Sequence, residues 1–184
     1  MELHDAIRFR RSVRSYEDRP VPREAIDRIL EAARQAPSAS NVMPWRLIVV
    51  TDLTVRTAIA ESGVYGKFLT HTPVVIVGCG DATAAPKWHA IDTAIALEHV
   101  ALAAVAEGLG SCWIGSFDES VVKDLLSVPE NHRIVSLIAL GYPAKKTDPS
   151  KIANKLIHPN KGIDRVASEG SFTQPWKTSI PIDP

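Results

Sequence analysis

The run from His89 to Glu107 constrains this chain more than any other feature. It reads as one long helix, closed by Gly108, and it is apolar nearly all round. Ile91, Ala94, Ile95, Leu97, Val100, Ala101, Leu102, Ala104 and Val105 leave no broad polar face. Such a helix is buried on most of its sides. In a chain of 184 residues, about one domain, that requires elements packed around it. It also predicts that part of the helix faces another subunit.

The other elements follow from local chemistry. Leu3 to Arg10 forms a short helix. Pro22 suits a first helical turn, and Ile26, Ile29, Leu30 and Ala33 continue at helical spacing. Pro37 stops that helix near Ala36. Asp52 and Asp118 cap two further helices, the first reaching about Ser62 and the second running from Glu119 to Leu126. Leu47–Val50 reads as a strand covered on both faces and Pro73–Val77 as a second buried strand, with Ser111–Ile114 a short strand and Ile134–Leu140 the last. Taken by themselves they point to a parallel α/β sheet. Residues 1–142 form the core. Residues 143–184 hold six of the 13 prolines and the spaced anchors Phe172, Trp176 and Ile180. This composition predicts an extended C-terminal arm docked on a partner subunit rather than a disordered tail.

Formal net charge is zero, which argues against a surface built to grip nucleic acid. No apolar run reaches the roughly 18 residues of a membrane span, and the polar start carries no signal peptide. Both point to a cytoplasmic protein. Cys79 and Cys112 lie in apolar runs, as inert core thiols do. The six histidines show no metal-ligand spacing. Gly108-Leu109-Gly110-Ser111-Cys112-Trp113 fails as a dinucleotide fingerprint, because Trp113 holds the third glycine position and a helix precedes it. No nucleophile set can be read, so redox or group chemistry falls to a cofactor.

Two stretches suggest where that cofactor sits. Arg10-Arg11-Ser12-Val13-Arg14, with Arg8 before it, gathers guanidinium groups around a hydroxyl. Forked Arg donors match phosphate oxygens in pairs. The plainer reading is a solvated helix end pairing with Glu17 or Asp18. Ala36-Pro37-Ser38-Ala39-Ser40-Asn41-Val42-Met43-Pro44-Trp45 is dense in small polar residues between prolines. It suits a rigid loop offering amide and hydroxyl donors to a flat ligand, or merely a turn.

These two blocks, with Gly108-Leu109-Gly110…Trp113-Ile114-Gly115 and Gly141-Tyr142-Pro143, resemble in order and spacing the nitroreductase family of flavoproteins. The resemblance covers roughly residues 1–160. It implies an α+β fold: a mixed, mostly antiparallel sheet flanked by helices, in an intertwined homodimer with FMN at the interface. On topology it takes precedence over the parallel reading. It implies that Arg10, Arg11 and Ser12 hold the FMN phosphate and ribityl chain, and that Arg14 lies by the pyrimidine edge. Pro37, Ser38, Ala39 and Asn41 would contact the ring from the partner subunit. Ile114, Gly115 and Ser116 would approach the N5 edge through backbone groups. Lys151, with Lys155 in reserve, would complete the phosphate site. NAD(P)H would bind transiently and reduce FMN, and a nitroaromatic, a quinone or a related small acceptor would follow in a ping-pong scheme. Met43 stands where many relatives carry Gln, and the chain lacks room for the helical excursion of larger relatives. Rival readings are a non-redox flavin sensor or carrier, a nucleic-acid contact through Arg8 to Arg14, and family variants that dehalogenate, dehydrogenate or fragment the flavin.

Overall fold

The computed structural model describes residues 1–64, 66–145 and 161–179. They fall in two compact units, Met1–Lys146 and Thr147–Pro184. In the first unit β1 (Trp45–Val50), β2 (Val74–Asp81), β3 (Gly110–Ile114) and β4 (His132–Gly141) form one sheet in the order β1-β2-β4-β3. Every neighbouring pair is antiparallel. A parallel bridge from Ser12 to Ser111 adds the mixed element.

This corrects the parallel arrangement read from the strands alone. Helices cover both faces, so residues of either parity are buried. Val75, Val77, Leu137 and Ala139 pack in one cluster with α3 (Leu53–Glu61) and α5 (Glu119–Leu126). Val74, Ile76, Ile138 and Leu140 pack in a second with α2 (Arg23–Arg34) and α4 (His89–Ala106). Continuous burial reports this coverage and says nothing of strand direction. Cys79 and Cys112 lie buried as thiols in the first cluster, where burial pushes the Cys79 thiol up to about 11.

α2 follows Pro22 and buries Ala25, Ile26, Ile29 and Ala33 along one face. Fully burying a side chain such as Ile29 contributes about 1.5–3 kcal/mol. α4 is long and apolar enough by composition to cross a membrane. Here it packs against all four strands, α2 and α1 (Leu3–Phe9) as a core helix. Asp92, Thr93, Ala96, Leu97, Val100, Ala101 and Ala104 are buried. Ile91 is 51% exposed, and Ile95, Glu98, Leu102 and Val105 are half-buried. Spaced 4-3-4-3, these five form a seam along one side.

Within the segment expected to extend as an arm, residues 161–179 turn back on themselves. Ser168 bridges Pro175, and the Trp176 amide donates to the Ala167 carbonyl at 3.0 Å. Phe172 is exposed at the turn.

Candidate functional site

α1 ends at Phe9, and the Arg10 amide still donates to the Ala6 carbonyl. The chain then lies across the end of the sheet. The Val13 amide donates to the Ser111 carbonyl at 2.9 Å and the Glu17 amide to Tyr142 at 2.8 Å. The Ala144 amide returns a bond to the Ser15 carbonyl at 3.0 Å. Segment 12–17 is thus bonded on both sides, to the start of β3 and to the chain leaving β4.

The two glycine motifs make room for it. Gly110 and Gly141 face each other across β3 and β4. A Cβ on Gly110 would stand 2.6 Å from Val13 Cγ2. One on Gly141 would stand 2.7 Å from Pro73 Cδ and 2.9 Å from Tyr16 Cδ1. Tyr16, buried above this pair, donates its hydroxyl to the carbonyls of Val13 at 2.6 Å and Ala139 at 3.3 Å. Burial pushes its phenol far above the ordinary range, so it stays protonated as a donor.

Arg10 is only loosely engaged. Arg10 Nε lies 3.8 Å from Glu98 Oε1, with a third of the arginine side chain exposed. A pair of that kind contributes at most about 1 kcal/mol and yields readily to a better anion. The acid that Arg10 meets is Glu98 on α4. Arg11 is exposed, and Ser12 and Arg14 are half-buried. Three guanidinium groups and a hydroxyl within five residues, on a backbone fixed by the sheet, make a donor set suited to a phosphate.

The Ser/Asn loop is built differently. Pro37 and Asn41 are exposed, Ser38 and Ala39 half-buried. Ser40, Asn41 and Met43 adopt φ of 52°, 56° and 47°. Side chains with a Cβ disfavour that left-handed region by about 1–2 kcal/mol each. Ser38 Oγ accepts the Met43 amide at 2.9 Å, and the Asn41 amide donates to the Ser38 carbonyl at 3.1 Å. At the exit, the Asp81 amide donates to the Pro44 carbonyl at 2.8 Å. At the start, the Ala39 amide donates to Asp92 Oδ2 at 3.2 Å. That amide is thereby engaged within the chain.

Ile114 ends β3, buried, and its carbonyl accepts the Ser136 hydroxyl at 2.9 Å. Gly115 is exposed, with open space where a side chain would stand, and Ser116 is half-buried. From Ser111 to Ile114 is about 10 Å along the strand. The structure thus brings the Arg segment and residues 114–116 to the two ends of one strand. Lys151 and Lys155 lie outside the described residues.

α4 holds both stretches, but on different sides. Asp92 tethers the Ser/Asn loop and Glu98 meets Arg10. Six residues apart on a helix is about 9 Å of rise and about 120° of rotation. Tyr16, Asp92, Glu98 and Ser136 are supporting residues that the motifs do not reveal. Asp92 and Glu98 stand out in the sequence as acids inside an apolar run, although nothing local names what each one meets.

A separate cleft of about 590 Å³ opens beyond Tyr16, lined by Asp18, Arg19, Arg56 and His71 among others. Its cations are engaged internally. Arg56 donates to the Leu69 and Thr72 carbonyls, and Arg19 lies 3.8 Å from the centre of the Tyr142 ring.

An antiparallel sheet with helices on both faces and a cationic segment laid across its end define the class. The sequence pattern of the nitroreductase family matches residues 7–64 and 60–142, and this chain belongs to that family. A Methanothermobacter thermautotrophicus protein, provisionally named NADH dehydrogenase/NAD(P)H nitroreductase, is 38% identical over 164 residues. The match spans 83% of this chain and 86% of the relative. The FMN reductase (NAD(P)H) of Bacillus subtilis is 29% identical, over 79% of this chain and 68% of its own. Among solved structures, an FMN-dependent nitroreductase from Clostridium difficile superposes with a TM-score of 0.73 at 29% identity. That match covers 85% of this chain and 98% of the other.

Proposed function

We propose that this chain is an FMN-dependent NAD(P)H oxidoreductase that works as a cytoplasmic homodimer. The observation that carries the reading is the Arg10–Arg14 segment, locked over the Gly110–Gly141 pair in a member of this family. Bound FMN would supply hydride chemistry, with NAD(P)H as donor. The names of the Bacillus subtilis and Clostridium difficile relatives support that cofactor.

Arg10, Arg11 and Ser12 would hold the phosphate and ribityl end, with Lys151, or Lys155 in reserve, as the further cation the set calls for. Arg14 would offer the pyrimidine edge a fixed cation, which favours negative charge without reorganising. Pro37, Ser38, Ala39 and Asn41 of a second copy would cover the ring, and backbone groups of Ile114, Gly115 and Ser116 would orient its N5 edge. Cofactor reduction requires no acid or base from the protein. Donor and acceptor take turns at one face, so double-reciprocal plots with a nitroaromatic or quinone should be parallel.

Two features support the second copy. One chain fixes the Arg segment and the Ser/Asn loop to sides of α4 about 120° apart. Besides the half-exposed seam of α4, the helix α1 that packs with it carries Leu3, Ile7 and Phe9, each at least 49% exposed, apolar surface of the kind that subunit interfaces cover.

The test is an absorption spectrum of the purified chain, of known oligomeric state, before and after anaerobic NADH or NADPH. A flavin spectrum that bleaches is expected. A yellow protein that does not bleach would make the chain a flavin carrier. Arg10→Ala should weaken FMN retention by roughly tenfold or more, since a charge-assisted contact contributes about 1.5–3 kcal/mol. Full flavin occupancy in that variant would remove Arg10 from the phosphate site.

A further inference from the structure

We propose that Asp92 is the positioning residue of the flavin-covering loop, an inference that rests on the cofactor reading above. Among the described residues, the buried polar side chains are Thr72, Asp92, Thr93, Ser111 and Ser136, and Asp92 is the one acid in that set. It is 3% exposed. A charge is not held in a protein interior without a compensating partner. Asp92 lies in the first turn of α4, where the unpaired amides of the helix favour a carboxylate. Its Oδ2 accepts the Ala39 amide from a loop 53 residues away in sequence.

That bond has a task the other loop bonds do not share. Ser38 Oγ to the Met43 amide, and Ser38 carbonyl to the Asn41 amide, both close within the loop and set its shape. The Asp81 amide fixes only the exit, at Pro44. Asp92 ties the start of the loop to the longest helix of the core. Left-handed Ser40 and Asn41 follow directly, with Met43 a third beyond the right-handed Val42, and backbone in that region persists only where its surroundings over-determine it. Without Asp92 the loop keeps its internal bonds and loses its place. The residue acts through Ala39 on where Ser38 and Asn41 meet the ring, and it has no part in gripping the phosphate.

The experiment compares FMN with riboflavin, which has the same ring and no phosphate. Dissociation constants and visible circular dichroism of the bound flavin are measured for the full chain, Asp92→Ala and Asp92→Asn. Asp92→Ala should weaken both flavins by the same factor, on the order of tenfold, leave their affinity ratio unchanged, and alter the dichroism. Asp92→Asn keeps an acceptor oxygen and should recover most of the affinity and the spectrum. If Asp92→Ala does not fold, Ala39→Pro carries the test. It deletes the same N–H at the first residue of a 3₁₀ turn, after an extended Ser38 that tolerates a following proline. The same loss is expected.

Unchanged riboflavin affinity and dichroism in a folded Asp92→Ala or Ala39→Pro chain would overturn the proposal. So would a loss confined to FMN, which would assign Asp92 to the phosphate end. A wild-type chain that binds neither flavin would overturn the cofactor reading, and this proposal with it. Wild-type binding with indifferent variants overturns only the role of Asp92.

Discussion

The Arg segment and the Ser38 loop are both irregular chain, yet they are held by opposite means. Segment 12–17 rests on main-chain bonds to Ser111, Tyr142 and Ala144, in space that Gly110 and Gly141 leave open. Its backbone is secured by these main-chain bonds, to which the Tyr16 hydroxyl adds a bond to the Val13 carbonyl, so its arginines are not needed to hold it in place. The loop has three residues in a disfavoured backbone region and relies on two side chains, Ser38 and Asp92. An anion contact needs cations at a fixed place and tolerates some freedom in their tips. A flat ring, as proposed for the loop, would need a surface whose shape is itself fixed, and strain and tethers together fix the shape of this loop.

If this contrast holds, adding one carbon under the Arg segment should have the largest effect. Gly141→Ala sets a methyl group against Pro73 and Tyr16 at 2.7 and 2.9 Å, and both neighbours are ring systems with little room to yield. Overpacking of this kind costs about 1–3 kcal/mol, a fall in Tm of several degrees for a chain this long. Flavin content should fall with it, as Tyr16 and the segment above are displaced. Thermal melts with and without FMN check both. An unchanged Tm would mean the segment is not seated on this glycine pair.

Tyr16→Phe comes next, because it removes a bond and keeps the shape. The hydroxyl donates to Val13 and Ala139, and its loss should cost about 0.5–1.5 kcal/mol. Burial raises the folded-state pKa above the ordinary value of 10.0. The folded chain therefore holds this proton more tightly than the unfolded chain. The contribution should be constant below pH 10 and decline above it, as the unfolded phenol ionises. Denaturant titrations of both chains at pH 7, 9 and 10.5 would show a difference that narrows only at the last. A difference that already changes between pH 7 and 9 would contradict a buried, protonated Tyr16.

The contrast also explains what could be read from the sequence. Local rules found most element ends, because their causes are local. Asp52 accepts the Val55 amide and Asp118 those of Ser120 and Val121, as caps do. The Arg block was legible because three guanidinium groups in five residues are a compositional event. Strand direction was not, since a strand covered on both faces looks alike in either sense. Nor was the full reach of β2: Gly78 looks like a strand end, yet a Cβ there would stand 2.6 Å from Leu97 Cδ1, so the glycine lets α4 close on the strand. Asp92 was hidden because its partner lies 53 positions away. The loop strain was hidden because Ser, Asn and Met occupy positions where glycine would have announced a left-handed turn.

The smallest expected effect is the most discriminating, and it has the opposite sign. Met43 has φ of 47° and a side chain 45% exposed, so little core contact is lost when it is removed. Its bond to Ser38 Oγ is made by the main-chain amide and survives in Met43→Gly. Relief of the left-handed penalty, about 1–2 kcal/mol, is offset by the greater freedom of glycine in the unfolded chain, about 0.5–1 kcal/mol. The net should be a gain of roughly 0.5–1 kcal/mol and a small rise in Tm. Under the Arg segment a carbon added is a loss, whereas in the loop carbons removed are a gain, because one backbone is relaxed and the other is held. If the strain serves to present the ring surface, riboflavin should bind more weakly to the stabilised variant. A lower Tm for Met43→Gly would mean that Met43 is not strained, and the distinction between the two stretches would fail at that residue.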